Sequence, residues 1–189
     1  MSTVTTHVTT EQLLAMPDSD KVERELIRGE LREKPMTRRN RFHTFAVARV
    51  TQLLGTTVDG LPAPRGEVHS GEVGVILRRD PDSTVGIDVA YFSSETIARQ
   101  TDETTLIEGV PELAVEVLSP SDKHEEIRDK VREYIAVGVK EVWVVDPDFQ
   151  TVQVHQPSLA PVSYNREQEM TCHVLESLRF AVAEIFPQQ

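Results

Sequence analysis

Alternation and helical spacing of apolar positions divide the chain into short elements. "TTEQLLAMP" predicts a short helix, with Thr9 and Gln12 at capping-box spacing and Pro17 as its stop. "ERELIRGELREKP" predicts two short strands that turn at Arg28-Gly29 and close at Pro35. Phe42, Phe45, Ala46, Val50, Leu53 and Leu54 recur at helical spacing, which predicts a helix from about Thr37 to Leu54 with Gly55 as its stop. "GEVHSGEVGVILRRD" holds one or two strands ending at Pro81-Asp82, and "VGIDVAYF" is another strand. The polar "RQTDETTLIEGVP" reads as a loop.

Leu113 to Leu118 is an apolar strand. Ser119-Pro120-Ser121 breaks it, and Asp122 with Glu125 has capping-box spacing for the helix that follows. Ile127, Val131, Tyr134 and Ile135 form that helix's buried stripe, and Gly138 ends it. Asp129 and Glu133 fall outside the stripe and are expected to face water. "EVWVVD" and the alternating "TVQVHQ" are further strands, and Met170 to Phe186 is expected to add one strand and a short helix or turn. Strand, helix and strand from Leu113 to Asp146 make a βαβ unit with parallel strands and a right-handed crossover. The expectation is one α/β domain over residues 1–189, with residues 1–20 as an N-terminal helical extension, in which helices cover a mixed sheet.

The chain has 189 residues, enough for one domain with its own core, and 39% hydrophobic content is that of a folded chain. No apolar run approaches the roughly 20 residues of a membrane span, and the polar start lacks a secretory core. Cys172 is the single cysteine, which excludes an internal disulfide and a cysteine zinc site. A cytoplasmic protein is expected. The net charge of −11 argues against nucleic acid, yet between Lys21 and Arg49 nine basic residues face four acidic ones. Such a basic patch is compatible with phosphate binding. A solvated helix and hairpin of mixed charge explains it equally well.

Three acids interrupt apolar strands: Asp88 in "GIDVAYF", Glu116 in "LAVEVL" and Glu72 in "GEVGVIL". A buried carboxylate costs several kcal/mol unless it is paired or bound to a cation. Three on neighbouring strands repel one another unless a cation lies among them, and hard oxygen ligands select Mg²⁺ or Mn²⁺. In "GIDVAYF", Ile87, Val89 and Tyr91 are expected on one face and Asp88, Ala90 and Phe92 on the other. Lys130, at the border of the helical stripe, can run its stem along apolar surface and reach Glu116. Two readings of that pair stand side by side: part of a metal site, or a structural ion pair. Trp143 reads as core or as a dimer contact, Asp146 before Pro147 as a turn residue, and Tyr134 as core with its hydroxyl at a polar edge.

In order and spacing, "RELIRGEL", a helix carrying His43, "GEVGVIL", "IDVAYF", "PELAVEVLSPSD" and "DKVREYIAVGVKEVWVVDP" resemble the bacterial family described as putative restriction endonucleases, within the PD-(D/E)xK nuclease superfamily. The similarity runs from about Glu25 to His155. It implies a restriction-endonuclease-like core, a mixed central β-sheet flanked by helices. By the same resemblance Asp88 and Glu116 are the metal-binding acids, Glu72 is the acid on the preceding strand, and one of Glu25 and Glu30 supports the site. His43 matches a histidine at the helix start. Ile87 stands where the superfamily pattern has proline. Leu118 stands where it has the motif lysine, and Lys130 matches a lysine moved to the following helix. The activity implied is Mg²⁺- or Mn²⁺-dependent hydrolysis of DNA, with Arg38, Arg39 and Arg41 on backbone phosphates. A homodimer would let a one-domain nuclease cut both strands. The competing readings are a catalytically silent binding module of the same fold and a hydrolase of smaller phosphate esters.

Overall fold

A computed structural model describes residues 7–17, 21–36, 38–103 and 105–187. Helix α1 (Thr10–Leu14) opens with the expected reciprocal capping box of Thr9 and Gln12. Strands β1 (Val22–Ile27) and β2 (Glu30–Pro35) form a hairpin. Its two turn residues, Arg28 and Gly29, both have positive φ (53° and 76°), the backbone twist a two-residue hairpin loop needs. Then come α2 (Arg41–Asp59), β3 (Glu67–Arg78), β4 (Ser83–Phe92), α3 (Ser94–Ala98), β5 (Ile107–Glu108) and β6 (Leu113–Val117). Helix α4 (His124–Val137), β7 (Glu141–Asp146), β8 (Thr151–His155) and β9 (Val162–Asn165) follow. The chain closes with β10 (Glu169–Thr171), β11 (Arg179–Ala181) and a 3₁₀ turn over Val182–Ile185.

Among the described residues one mixed sheet runs β2-β1-β4-β6-β7-β8-β9, and β3 pairs with β4 and β5. The expected mixed α/β architecture is present, and β6 and β7 are parallel across α4. On one face α2 lays Ala46, Val50 and Leu54 against Val89, Val115 and Trp143, closed off by Met170, Phe180 and Ile185. Each of these large apolar side chains stabilises the fold by about 1.5–3 kcal/mol. On the other face α4 lays Val131 and Tyr134 against Ala90, Ala114 and Val142. Trp143 is therefore core. No helix among the described residues is long and apolar enough to cross a membrane.

Strand β4 organises the centre. One edge carries β3 along its length. The other edge meets β1 only at Thr84 and β6 only at Val89 to Tyr91. Between those contacts β1 and β6 diverge, and the edge from Val85 to Asp88 has no strand beside it.

Several expectations are corrected. Gly55 does not stop α2, which runs on to Asp59 and ends at Gly60, because Val58 still docks in the core. At the other end Arg38 and Arg39 precede the helix, Asn40 caps it, and Thr37 lies outside the described residues. Asp122 does not cap α4; it accepts from Ser119 N at 2.7 Å and Ser119 Oγ at 2.9 Å, and Lys123 stands at the cap position, where its side chain bonds Glu126 and caps no helix N–H. Glu133 does not face water. It is 1% exposed and is held by Arg28 Nε at 2.6 Å, Ser83 Oγ at 2.6 Å and Arg78 Nε at 3.3 Å. Val85 and Ile87 join the α4-side core instead of flanking Val89 and Tyr91. The alternation breaks there because β3 bulges opposite: Ser70 pairs with Val89 and Val73 with Ile87, so Gly71 and Glu72 both face Asp88. The polar loop also contains β5, and α3, β9 and a two-strand β10–β11 pair appear where fewer elements were expected. Of the N-terminal extension, residues 1–6 and 18–20 lie outside the described residues.

Candidate active site

The exposed backbone edge of β4 is satisfied by side chains instead of a strand. Gly86 N donates to Glu25 Oε1 at 3.0 Å, and Gly86 O accepts from Lys130 Nζ at 2.8 Å. Val117 N donates to Asp88 Oδ2 at 2.8 Å. These acids and the lysine therefore stand where ladder groups would otherwise go unpaired inside the protein. One step beyond the Val89↔Val115 pair, the same register sets Asp88 opposite Glu116.

Lys130 Nζ lies 3.1 Å from Glu25 Oε1 and 2.9 Å from Glu116 Oε1. Tyr134, one helical turn after Lys130, donates its hydroxyl to the same Glu116 oxygen at 2.5 Å. Glu25, Asp88, Glu116 and Lys130 are all at most 7% exposed. The hairpin decides between the two N-terminal acids: Glu25 on β1 faces the site, and Glu30 at the start of β2 is exposed.

Three carboxylates around one ammonium leave surplus negative charge. Burial pushes Glu116 up to about 7, and repulsion from Asp88 and Glu25 adds to this against the pull of Lys130 and Tyr134. Burial also opposes ionisation of Glu25, but Lys130, Lys34 and the Gly86 N–H outweigh it and hold its pKa low. Asp88 follows the same pattern: His43, the Val117 N–H and Lys130 overcome the cost of burial and lower its pKa. Lys130 is raised despite burial by Glu116 and Glu25 and stays charged. Glu116 is thus the member of the set that titrates near neutrality.

His43, the third residue of α2, is 3% exposed, with Nε2 3.3 Å from Asp88 Oδ1. The pair is close enough to attract but not aligned for a hydrogen bond, and among the described residues neither ring nitrogen has a hydrogen-bond partner. Glu72 sits on the β3 bulge at a φ of 60° and pairs with Arg39, which also lies 3.8 Å from Glu23. Arg39 therefore lines the cleft, while Arg38 and Arg41 are exposed beside it. The cleft volume is about 40 Å³, room for a few waters or a hydrated ion but not a nucleotide. A larger substrate must lie across its mouth.

Asp88, Glu116, Lys130, Glu25 and His43 are brought together, with Glu72 at the rim. Among the described residues no three His, Cys, Asp or Glu side chains are arranged to hold a metal ion, since Glu116 is turned to Lys130 and Glu72 to Arg39. Sequence reasoning missed Gly86 and the Tyr134–Glu116 bond. The signals were present: a glycine inside a strand pattern marks close approach, and Tyr134 follows Lys130 by four residues. Asp146 is the turn residue expected, accepting from Asp148 N and Phe149 N.

A family model described as "Uma2: Putative restriction endonuclease" matches residues 10–183. No curated protein matches the chain. Among solved structures, a crystal structure from Anabaena variabilis ATCC 29413, described as a putative nuclease belonging to DUF820, superposes with a TM-score of 0.78 at 19% identity, covering 95% of this chain and 97% of that one. At that identity the likeness is one of fold.

Proposed function

Because the chain belongs to the Uma2 family of "putative restriction endonucleases", we propose that it is a divalent-metal-dependent endonuclease hydrolysing DNA phosphodiester bonds. One observation carries this reading: Glu25 and Glu116 share the Lys130 ammonium in a gap of the sheet, with the ionised Asp88 buried close enough to Glu116 to repel it. The surplus anionic charge and the hard oxygen donors fit Mg²⁺ or Mn²⁺, which Asp88 and Glu116 would hold, with Glu72 as a third ligand once it turns from Arg39. When bound, such an ion supplies a hydroxide nucleophile at neutral pH and polarises the phosphoryl oxygen.

The chain's own residues do the rest. His43 and the Val117 N–H keep Asp88 ionised. Tyr134 orients Glu116. Glu25 and Gly86 O fix the Lys130 ammonium, which remains charged and donates to the negative charge that grows on the phosphoryl oxygens. Arg39 at the rim, with Arg38 and Arg41, holds flanking phosphates. Two copies would be needed to cut both strands of a duplex.

A second reading has its own support. Glu116 is already satisfied by Lys130 and Tyr134, as expected of a catalytically silent binding module. Nicking of supercoiled plasmid in Mg²⁺ or Mn²⁺ separates the two. The nuclease converts plasmid to open circles, and Asp88→Ala and Lys130→Met abolish this. Intact plasmid with folded wild-type protein in both metals supports the module.

A further inference from the structure

Of the six phenylalanines, Phe92, Phe180 and Phe186 are in the core, whereas Phe42, Phe45 and Phe149 are exposed at 37%, 39% and 81%. Phe42 and Phe45 line one groove together. Arg41, Phe42 and Phe45 on the first turns of α2 form one wall of an open groove of about 680 Å³. Pro147, Asp148 and Gln150 of the β7–β8 turn, with Pro187, form the other, and Phe149 belongs to the same turn without lining the groove. An Asx turn at Asp146 fixes Phe149 there, with Phe149 N 3.0 Å from Asp146 Oδ1. The β7–β8 turn follows the C-terminal end of β7, which runs parallel to β6, so the groove opens at the same end of these strands as Glu116. Phe42 is the chain neighbour of His43, which faces Asp88.

Charge indicates what covers this patch. Arg24, Arg28, Arg32, Arg39, Arg78 and Arg79 each face a carboxylate. Arg38 and Arg41, flanking the phenylalanines, make no ion pair among the described residues. Arg41 lies 4.6 Å over the Phe42 ring, so cation and aromatic face are presented together. The helix N–H groups take no part, since Asn40 Oδ1 caps Phe42 N and His43 N at 2.9 Å.

We propose that the Phe42–Phe45 face of this groove is a docking surface for unpaired nucleic acid, its bases stacking on the phenyl rings while Arg38 and Arg41 hold the phosphates of a strand running to Asp88. Exposed rings beside unneutralised arginines are what a single strand requires, and a duplex hides the base faces that would stack. Pairing of two copies through this patch would bring two arginines of each copy, Arg38 and Arg41, against one groove carboxylate, Asp148, and so leave surplus positive charge across the two-fold axis. The proposal rests on the nuclease reading and names its substrate class: regions with unpaired bases.

The test is fluorescence anisotropy in EDTA, where nothing is cut, with a labelled oligothymidylate of about 20 nucleotides and a duplex of equal length. The wild type is expected to bind the single strand more tightly. Phe42→Ala with Phe45→Ala weakens single-strand binding by about ten- to a hundredfold and leaves its salt dependence unchanged. Arg38→Ala with Arg41→Ala lowers the slope of log affinity against log salt by about 1.4. Thermal melts should show both variants folded at the assay temperature, since Phe42 and Phe45 lie outside the two buried clusters and Arg38 and Arg41 are exposed. Equal single-strand affinity for wild type and phenylalanine variant, or no single-strand binding at all, overturns the proposal. So does a wild-type dimer that the phenylalanine variant dissociates in sedimentation. Plasmid nicking with unchanged oligonucleotide binding would sink this proposal alone, and phenylalanine-dependent binding without nicking would sink the nuclease reading alone.

Discussion

Tyr134 and Lys130 address the same oxygen of Glu116, the hydroxyl from 2.5 Å and the ammonium from 2.9 Å. They lie one turn apart on α4, so a single helix face supplies both donors to a carboxylate on the strand beneath. The glutamate in the middle of an apolar strand therefore has two donors, yet it is the acid of the three whose pKa burial and its neighbours raise, while Glu25 and Asp88 are held ionised. One ammonium serves Glu25 and Glu116 together, with Asp88 opposite.

Tyr134→Phe removes a donor that favours the ionised carboxylate. Glu116 should then titrate above its present value of about 7. The fold should lose about 1–3 kcal/mol above neutrality, the cost of a hydrogen bond to a charged group. Carboxyl NMR titration reads the first effect and urea unfolding the second.

Glu116→Gln reports the pH linkage directly. The folded pKa of about 7 exceeds the unfolded value of 4.5, so the folded state holds the extra proton between them. The wild type's contribution from Glu116 is thus fully present below about pH 4.5 and is lost as pH rises through 7. Asp88 and Glu25, with lowered values, act oppositely and only at acidic pH, their contribution falling away as pH drops through their folded pKa values. Across pH 4.5 to 7 the stability difference between wild type and Glu116→Gln should move in the variant's favour by up to ~3 kcal/mol, then level off. A pH-independent difference would mean Glu116 stays ionised throughout.

Lys130→Met leaves Glu25 and Glu116 buried without their cation. Unfolding experiments at pH 8 should show a loss of about 3–5 kcal/mol, and a smaller loss at pH 5 where Glu116 is protonated. Added Mn²⁺ should stabilise this variant more than the wild type, because it replaces the missing positive charge.

Gly86→Ala separates site from scaffold. A Cβ there would stand 2.9 Å from Glu72 Oε2 and 3.7 and 3.8 Å from Oε1 of Glu23 and Glu25. Glu72 can swing aside, so the stability loss should stay under about 1 kcal/mol. Nicking should fall by on the order of 10–100-fold as the acids shift.

Local rules made much of this legible. Thr9 and Gln12 form their box, Gly138 ends α4 in the left-handed conformation, and the β6–α4–β7 unit follows from its apolar runs. The unread parts depended on partners distant in sequence. Glu133 looks solvent-facing on a helical wheel because the wheel cannot show Arg28 and Arg78 arriving from the hairpin turn and β3. Gly55 looked like a stop because nothing local showed Val58 entering the core. The choice between Glu25 and Glu30 needed to know which strand of the hairpin abuts β4. The gap between β1 and β6, which creates the site, is a property of the sheet as a whole, although the "HSGEVG" stretch with its glycine signals the bulge that faces Asp88.

The account's central claim is that Glu116 and Asp88 are buried together to share a divalent cation. Calorimetric titration of Mn²⁺ into the wild type at pH 8, beside Asp88→Ala and Glu116→Ala, tests it most directly. The account predicts saturable binding by the wild type, and loss of binding in both variants. Absence of binding by folded wild-type protein, or binding that survives both substitutions, would contradict it and leave Glu116 as a scaffold residue paired with Lys130.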